Sequence, residues 1–356
     1  MPRLRADLAS LPAYRAGRRP AAGSAPVYSL ASNESPFAPS AAVLRAIAEA
    51  AEQANRYPDP ANTALVAALA GHLGVPPDAI GLGTGSVALC QQVVTAAAGP
   101  GDEVLFAWRS FEAYPIIAQA AGATAVLVPL ADGGRHDLRA MAAAVTDRTR
   151  VVFLCTPNNP TGPVLRKDEV ARFLEAVPED LLVVIDEAYH EYVTDPQAVD
   201  GLDLVRQRAS TVVLRTLSKA YGLAGLRVGY GVAHPDLMAQ LRRVALPFGV
   251  SRLAEAAGVG VLQEAADIAR RAGTTVAERE RVVAALRAGG WDIPTAEGNF
   301  VWLPLGPRSE EFAGACLAGG LTVRAFPGEG VRVTIAEPPA NERFLALALA
   351  WSGGRA

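Results

Sequence analysis

The chain has 356 residues and a formal net charge of −3, which favours one large domain plus a smaller one and argues against a nucleic-acid-binding surface. Its three cysteines, Cys90, Cys155 and Cys316, lack CxxC spacing, so we predict neither a disulfide framework nor a metal site. No segment has about 18 consecutive apolar residues and the N-terminus lacks a signal-peptide core, which predicts a cytoplasmic protein that does not bind membranes.

The predicted elements change character along the chain. The first 30 residues, rich in Pro, Arg and Gly, are predicted to form an extended arm that packs on a larger body. Between residues 79 and 233, short apolar runs alternate with longer helical patterns, which is typical of parallel strands joined by crossover helices. The seven runs are AIGLG, EVLFAW, TAVLVPL, VVFLC, LLVVID, TVVLRTL and RVGYGVA.

A different pattern follows Pro247. A long helical stretch rich in Ala, Glu and Arg runs to about Gly290 and precedes the strand-like runs NFVWLPL, LTVRAF and GVRVTI. We therefore predict an α/β fold in which residues 46–247 form a large domain around a mainly parallel seven-stranded sheet. Residues 248–356 form a smaller α+β domain, and residues 1–45 supply the arm and part of that smaller domain.

The chain has only two lysines among its 33 Lys and Arg residues. Lys167 lies in RKDEV, at the predicted start of a polar helix, where a solvated surface role is expected. Lys219 lies in TLSKAYGLAG, directly after an apolar run. Arginine stays protonated under nearly all conditions, whereas a buried lysine can lose its proton and attack a carbonyl to form a Schiff base. We therefore predict a chemical role for the Lys219 amine.

Ligands of open α/β sheets bind beyond the carboxyl ends of the strands. After AIGLG, Gly85 and Ser86 lie in a tight turn that enters a helix, where backbone N–H groups favour a phosphate. The same segment, GTGSVA, also matches the loose dinucleotide pattern GxGxxA. A dehydrogenase is less favoured, because the next strand ends in Ala-Trp-Arg without an acid for a ribose hydroxyl, and because Lys219 would have no role.

Two further strand ends carry polar side chains. VVFLC leads into TPNNPTG, which presents Asn158 and Asn159 at the sheet edge as donors to a ligand oxygen or as parts of an Asx turn. LLVVID ends in Asp186, whose buried carboxylate requires a partner such as a protonated ring nitrogen. Tyr189 follows it and can reach the same ligand. The next two residues, His and Glu, lack an HExxH pattern, so surface or packing roles are favoured over a metal site.

The segment after TVVLRTL combines hydroxyls, an amine and a guanidinium. Thr216 and Ser218 precede Lys219 in sequence, and Arg227 follows the flexible GLAG. These groups suit a phosphate monoester held beside an imine, with the guanidinium as a charged, forked donor.

Three ordered motifs, NPTG, DEAY and SKAYGLAGLRVGY, resemble those of the fold-type I aminotransferases, in the histidinol-phosphate and aromatic branch. LASNESPF, RYPDP, NFVWLPL and GVRVTI extend the resemblance over nearly the whole chain. The resemblance implies the fold-type I architecture, pyridoxal 5'-phosphate as the cofactor and a homodimer as the active form.

The resemblance also implies roles for individual residues. Lys219 is implied to bind the cofactor covalently and to move the proton at the substrate Cα, while Asp186 keeps the ring nitrogen protonated and Tyr189 holds the ring oxygen. The other residues implied to contact the cofactor are Gly85, Ser86, Thr216, Ser218 and Arg227 near the phosphate, Phe111 stacked on the ring, Asn159 at the ring oxygen, and Tyr57 of the partner subunit at the phosphate. Substrate contacts are implied for Arg332, at the α-carboxylate, and for Asn33.

Two segments depart from the usual histidinol-phosphate pattern. GSVA replaces the common GSDE, and WRSFEAYP replaces a proline-led turn; both resemble the actinobacterial aromatic amino acid, or phenylalanine, aminotransferases. Trp108, Phe111 and Tyr14 would then form an apolar wall for an aromatic side chain, or pack in the core or the dimer interface. Arg324 points instead to histidinol phosphate, whose phosphate it would bind, or it is a solvated strand residue.

We therefore predict that the protein transfers the amino group of an aromatic L-amino acid, of the phenylalanine type, to 2-oxoglutarate in two half-reactions. Histidinol-phosphate transamination is the alternative with the same machinery. Decarboxylation and β-elimination are less favoured, because Arg332 would fix the carboxylate and leave the Cα–H bond to be broken. A non-catalytic sensor of the same fold is disfavoured, because no helix-turn-helix extension precedes the arm and the lysine and its helpers are intact.

Overall fold

The computed structural model describes residues 28–351, so the predicted arm and Tyr14 lie outside the described residues. Its helices are α1 Ala41–Ala51, α2 Thr63–Leu73, α3 Ser86–Ala97, α4 Ala113–Ala120, α5 Leu138–Ala143, α6 Lys167–Ala176, α7 Gly201–Gln207, α8 Pro235–Arg242, α9 Arg252–Gln263, α10 Ala265–Ala288, α11 Ser309–Ala318 and α12 Pro338–Ala350. Its strands are β1 Tyr28–Leu30, β2 Ile80–Gly83, β3 Glu103–Trp108, β4 Thr124–Pro129, β5 Thr149–Cys155, β6 Leu182–Asp186, β7 Thr211–Thr216, β8 Gly229–Ala233, β9 Phe300–Leu303, β10 Leu321–Phe326 and β11 Gly330–Thr334.

The larger of the two sheets has seven strands in the order β2-β8-β7-β6-β5-β3-β4. Only β8 runs antiparallel to its neighbours, and the other strands of this sheet share one direction. Each of the seven apolar runs forms a strand of this sheet. The predicted α/β fold with a mainly parallel seven-stranded sheet is therefore confirmed.

Both faces of the larger sheet are buried except at its edge strand β4, which explains why the inner strands are apolar at nearly every position. Alternation along β3 directs Val104 and Phe106 to one face, where they pack in a core with α3 and α4. Leu105 and Ala107 point to the opposite face and pack with α5, α6 and α7. With helices on both faces, the carboxyl ends of β5, β6 and β7 meet at one edge of the sheet.

One strand is shorter than its apolar run. The run RVGYGVA predicts a strand from Arg227, but β8 begins at Gly229. The reason is that Arg227 has a left-handed backbone with a φ of 55°, a conformation that cannot continue a strand. This bend turns the guanidinium of Arg227 toward the edge where the parallel strands end.

The smaller sheet has the order β1-β10-β11-β9, and β1 joins it parallel to β10. The runs NFVWLPL, LTVRAF and GVRVTI form its other three strands. Its core includes Leu30, Val301, Val331 and Phe312. Helix α9 packs with α1 and α2 in a core that it shares with β8 of the larger sheet, and the domain boundaries at residues 45 and 247 stay predictions.

The longest helix in the described range, α10, has 24 residues and carries charged residues along its length. None of the helices between residues 28 and 351 combines the length and the apolarity that a bilayer crossing requires.

Candidate active site

A cavity of about 350 Å³ lies between the carboxyl ends of the parallel strands and the smaller sheet. Its lining comes from segments that follow β5, β6 and β7, from the start of α3, and from β10 and β11. Most of the predicted site residues line it: Ser86, Phe111, Asn159, Asp186, Tyr189, Thr216, Ser218, Lys219, Arg227, Arg324 and Arg332. These predicted residues lie as far as 246 positions apart in sequence, and the open edge of the sheet brings their side chains together.

Lys219 follows β7 and directs its amine into the cavity. Its Nζ donates a hydrogen bond to the carbonyl oxygen of Ser32 at 3.0 Å and lies 5.8 Å from the centre of the Tyr189 ring. Removal from water, together with the nearby charges of Arg332 and Arg227, lowers the pKa of Lys219 to about 7. A large fraction of this amine is therefore neutral, and nucleophilic, near pH 7.

Asp186 ends β6 with a carboxylate that is only partly satisfied. Its Oδ2 accepts a hydrogen bond from the Tyr114 hydroxyl at 2.6 Å, whereas its Oδ1 is buried without a hydrogen-bond partner among the described residues. Burial raises the pKa of Asp186 to about 6, although the bond from Tyr114 acts in the opposite direction. A cationic donor in the cavity would satisfy Oδ1 and favour the ionised carboxylate.

A hydrogen-bond network joins the smaller sheet to the residues beside Lys219. The Nδ2 of Asn33 donates to the Tyr189 hydroxyl at 2.9 Å, and Thr334 donates to Asn33 Oδ1 at 3.0 Å. The guanidinium of Arg332 donates to Asn159 Oδ1 and to the Ala31 carbonyl, both at 2.6 Å. Asn33, Asn159 and Arg332 are thus held in fixed positions at the cavity wall.

Gly85 and Arg227 pack tightly where α3 begins. Gly85 has a φ of 81°, and a Cβ added to it would lie 2.4 Å from Nη2 of Arg227. The Nη1 of Arg227 donates to the Ser218 hydroxyl at 3.2 Å. The Thr216 hydroxyl accepts from the Ser218 backbone N–H at 3.1 Å and donates to the Val228 carbonyl at 3.4 Å. Thr216 therefore supports this turn, while the hydroxyls and N–H groups at the helix start face the cavity.

The predicted apolar wall is only partly at the cavity. Phe111 lines it and meets the Tyr114 ring edge-on at 5.4 Å. Trp108 packs against Phe106 at 6.0 Å under the guanidinium of Arg109 and is not among the lining residues. The side chain of Trp108, at the end of β3, points toward the helices that pack on the sheet. The residues that follow β3 line the cavity instead.

Arg324 lines the cavity but is held in an ion pair. Its Nη2 donates to both carboxylate oxygens of Glu112 at 2.8 Å, and its guanidinium lies 5.3 Å from the Phe326 ring centre. The side chain of Arg324 is only 14% exposed. The alternative of a solvated strand residue is therefore wrong.

Asn158 lies in the turn after β5, where it was expected either to face a ligand or to form an Asx turn. Its Oδ1 accepts from Ser110 at 2.7 Å, and its Nδ2 donates to Thr161 at 2.7 Å and to the Arg109 carbonyl at 3.1 Å. His136 Nε2 lies 3.1 Å from the same Oδ1. These contacts show that Asn158 stabilises its loop, whereas Asn159 faces the cavity.

Tyr57 does not line the cavity of its own chain. It is 78% exposed and packs on Phe248 with ring centres 4.8 Å apart and the rings tilted by 30°. Within residues 28–351, no three His, Cys, Asp or Glu side chains converge as a metal site would require. His190, which follows Tyr189, instead lies 3.4 Å from a guanidinium nitrogen of Arg215.

Sequence reasoning did not identify Glu112 and Tyr114 as partners of predicted site residues. Glu112 and Tyr114 follow Phe111 in WRSFEAYP, yet their partners Arg324 and Asp186 lie 212 and 72 residues away. The sequence signal was the unusual segment itself, which differs from a proline-led turn. It did not indicate which of its side chains point inward.

The family model for aminotransferase class I and II matches residues 25–346 of the chain. The chain belongs to this family. Relatives of this aminotransferase include proteins named aromatic amino acid aminotransferase from Streptomyces avermitilis, 54% identical over 97% of this chain and 96% of the relative, and from Rhodococcus jostii, 52% identical over 98% and 95%. The resemblance inferred from the motifs is thus confirmed.

Solved structures also resemble this aminotransferase. A histidinol-phosphate aminotransferase from Sinorhizobium meliloti in complex with pyridoxal 5'-phosphate superposes with a TM-score of 0.81 and 30% identity, over 91% of this chain and 89% of that chain. A protein described as a putative histidinol-phosphate aminotransferase from Erwinia carotovora atroseptica superposes with a TM-score of 0.85 and 26% identity, over 90% and 95%. The fold-type I architecture follows from these similarities.

Proposed function

We propose that this aminotransferase uses pyridoxal 5'-phosphate to move the amino group of an aromatic L-amino acid, of the phenylalanine type, to 2-oxoglutarate. The observation that carries the proposal is the convergence of Lys219, Asp186 and Arg332 on one cavity. Relatives that are 52 to 54% identical and named aromatic amino acid aminotransferase support the choice of donor.

The cavity residues fit this cofactor. Oδ1 of Asp186, buried without a partner among the described residues, is suited to accept a hydrogen bond from a protonated ring nitrogen. Lys219, with its lowered pKa, is suited to bond covalently to the aldehyde carbon. When bound, the cofactor supplies an acceptor for the electron pair released at the substrate Cα.

The turn at the start of α3 is the proposed seat of the cofactor phosphate. Ser86 contributes its hydroxyl and a helix N-terminus, and Gly85, having no side chain, lets the guanidinium of Arg227 approach this turn. Ser218 adds a second hydroxyl, and Thr216 orients it through the backbone. The guanidinium and the positive end of the helix dipole both favour a dianionic phosphate.

The remaining roles concern the ring and the substrate. Phe111 is proposed to stack on the cofactor ring. Tyr189 and Asn159 are proposed to hold the ring oxygen. Hydrogen bonds from Asn33 to Tyr189 and from Arg332 to Asn159 keep these two side chains in position. Arg332 grips the substrate α-carboxylate with the planar donors that suit a carboxylate.

Lys219 then removes the proton from the substrate Cα, because a neutral amine is an effective base near its own pKa. With the carboxylate held, the Cα–H bond is the one broken. This arrangement favours transamination over decarboxylation.

We also propose that the enzyme is a cytoplasmic homodimer in which Tyr57 completes the phosphate site of the partner subunit. Tyr57 is 78% exposed, and Leu246 and Phe248 near it are 71% and 43% exposed. An exposed pair of packed aromatic rings together with an exposed leucine is an unusual surface for a monomer and suits an interface.

Histidinol-phosphate transamination remains the second candidate, because Arg324 lines the cavity and could meet a phosphate. The two candidates are separated by kcat/KM of purified, cofactor-loaded protein for L-phenylalanine and L-histidinol phosphate, each with saturating 2-oxoglutarate. We expect phenylalanine to be preferred by tenfold or more, about 1.4 kcal/mol in transition-state binding. A tenfold preference for histidinol phosphate would overturn the aromatic assignment, and turnover of neither substrate would overturn both.

A further inference from the structure

An ion pair occupies the cavity wall on the side of the smaller sheet. Glu112, directly before α4, and Arg324, in β10, both line the cavity. One guanidinium nitrogen lies 2.8 Å from each oxygen of the carboxylate. The two residues are 212 positions apart in sequence. Glu112 follows a strand of the larger sheet and Arg324 lies in the smaller sheet, so the contact depends on how the two sheets pack together.

Arg324 also has a like-charged neighbour. In the register of β10 and β11, Arg324 is directly paired with Arg332, so both side chains leave the smaller sheet on the same face. Two guanidinium groups in directly opposite positions repel each other. The carboxylate of Glu112 offsets one of the two charges, and it contacts the arginine that is not proposed to hold the α-carboxylate.

This arrangement decides what the cavity offers to a substrate side chain. A guanidinium in a partly dry cavity attracts a phosphate, which carries about −1.5 to −2 charges near pH 7. With Glu112 in place, a phosphate must displace a carboxylate or lie beside it, and both alternatives are unfavourable. An uncharged aromatic ring meets no such barrier, and the rings of Phe111 and Phe326 line the same cavity.

We propose that Glu112 is a specificity-determining residue that neutralises Arg324 and thereby excludes donors with a phosphate on the side chain in favour of uncharged aromatic donors. The inference rests on the proposed function, since it explains the choice between the two donors. Glu112 selects through charge, without contributing to the reaction at the substrate Cα.

The test compares wild type, Glu112→Gln and a matched control in the cofactor-loaded enzyme. The first half-reaction is followed alone, by the absorbance of the cofactor, with L-phenylalanine or L-histidinol phosphate as donor. Glutamine keeps the size of the side chain, and Glu112 makes no side-chain capping bond at the start of α4. The control is Glu329→Gln. Glu329 pairs with Arg109, which also lies over the Phe326 ring, but Glu329 does not line this cavity.

We expect Glu112→Gln to raise the second-order rate constant of the first half-reaction with histidinol phosphate about tenfold or more. The same constant for phenylalanine should change less than about threefold. Glu329→Gln should leave the ratio of the two donors within about twofold of wild type. Inorganic phosphate, titrated calorimetrically into the cofactor-loaded enzyme, should bind about tenfold more tightly to Glu112→Gln than to wild type. The KM for 2-oxoglutarate should also fall, since its distal carboxylate is an anion. Adding Arg324→Gln to Glu112→Gln should reverse the gain for both phosphate ligands.

The inference would be overturned if the ratio of the rate constants for histidinol phosphate and phenylalanine is unchanged in Glu112→Gln, or if it shifts only because phenylalanine turnover falls. Either result would leave the proposed function intact. An equal shift in Glu329→Gln would overturn it as well, because any lost ion pair would then have the same effect. A wild type that does not use phenylalanine would instead contradict the proposed function.

Discussion

The hydrogen bond from Tyr114 to Asp186 gives a prediction that depends on pH. Tyr114→Phe removes one hydroxyl, and the remaining ring keeps its stack on Phe153, whose centre lies 4.4 Å away. The bond lost is 2.6 Å long and fully buried. Because the bond from Tyr114 is the largest of the contacts that lower the pKa of Asp186, the variant removes the main contribution that favours its charged form in the cofactor-free protein.

The size of the effect differs between the two protonation states of Asp186. A hydrogen bond to a carboxylate contributes about 1.5 to 3 kcal/mol, and one to a neutral carboxyl about 0.5 to 1.5 kcal/mol. The midpoints of these two ranges differ by about 1.25 kcal/mol, which corresponds to roughly one unit in pKa. The variant should therefore raise the pKa of Asp186 from about 6 to roughly one unit higher.

The sign of the pH dependence follows from linkage. The pKa of Asp186 is raised in the folded protein, so the stability associated with its proton is present at low pH and is lost as the pH rises through about 6. Tyr114→Phe enlarges this loss. We expect it to lower the free energy of unfolding by about 1 kcal/mol near pH 4.5 and by about 2 kcal/mol near pH 8.

Urea unfolding of the cofactor-free proteins between these pH values measures the effect directly. Thr161→Val is the control, because its buried hydroxyl accepts from the Asn158 amide and donates to the Gly134 carbonyl, and neither group titrates in this range. Its effect on unfolding should be the same at both pH values. A destabilisation by Tyr114→Phe that is equally independent of pH would refute the argument.

Three further predictions concern the cavity. Lys219→Ala should abolish the covalent capture of pyridoxal 5'-phosphate, measured as visible absorbance that survives gel filtration, whereas Lys167→Ala should retain it. In wild type, the rate of capture should rise as the pH passes through about 7, because only the neutral amine of Lys219 attacks; a rate that is flat between about pH 6 and 8 would contradict this. Gly85→Ala places a Cβ 2.4 Å from Arg227 at a positive φ and should weaken cofactor binding at least tenfold, about 1.4 kcal/mol, in a fluorescence titration. Gly99→Ala, whose Cβ would meet nothing within 4 Å, should bind as wild type does.

The strands and the chemical parts of the site were predictable from the sequence. A parallel strand that is buried on both faces must be apolar along its length, so the seven runs could be recognised without knowing their neighbours. Ligands meet such sheets at the carboxyl ends of the strands, so Asp186, Asn159 and Lys219 could be selected by their position after a run. A lysine in a chain that otherwise uses arginine was a further local signal.

The contacts between these parts depended on the tertiary structure. The bond from Tyr114 to Asp186 joins a helix and a strand that no local pattern links, and the pair of Glu112 with Arg324 forms only where the smaller sheet closes over the larger one. Trp108 and Phe111 are both aromatic and only three positions apart, yet only Phe111 lines the cavity. Sequence periodicity specifies how a strand or helix is buried, because that depends on the nearest residues along the chain. The charge and shape offered to a substrate depend on side chains that meet across hundreds of residues, and these distances are set only when the sheets pack together.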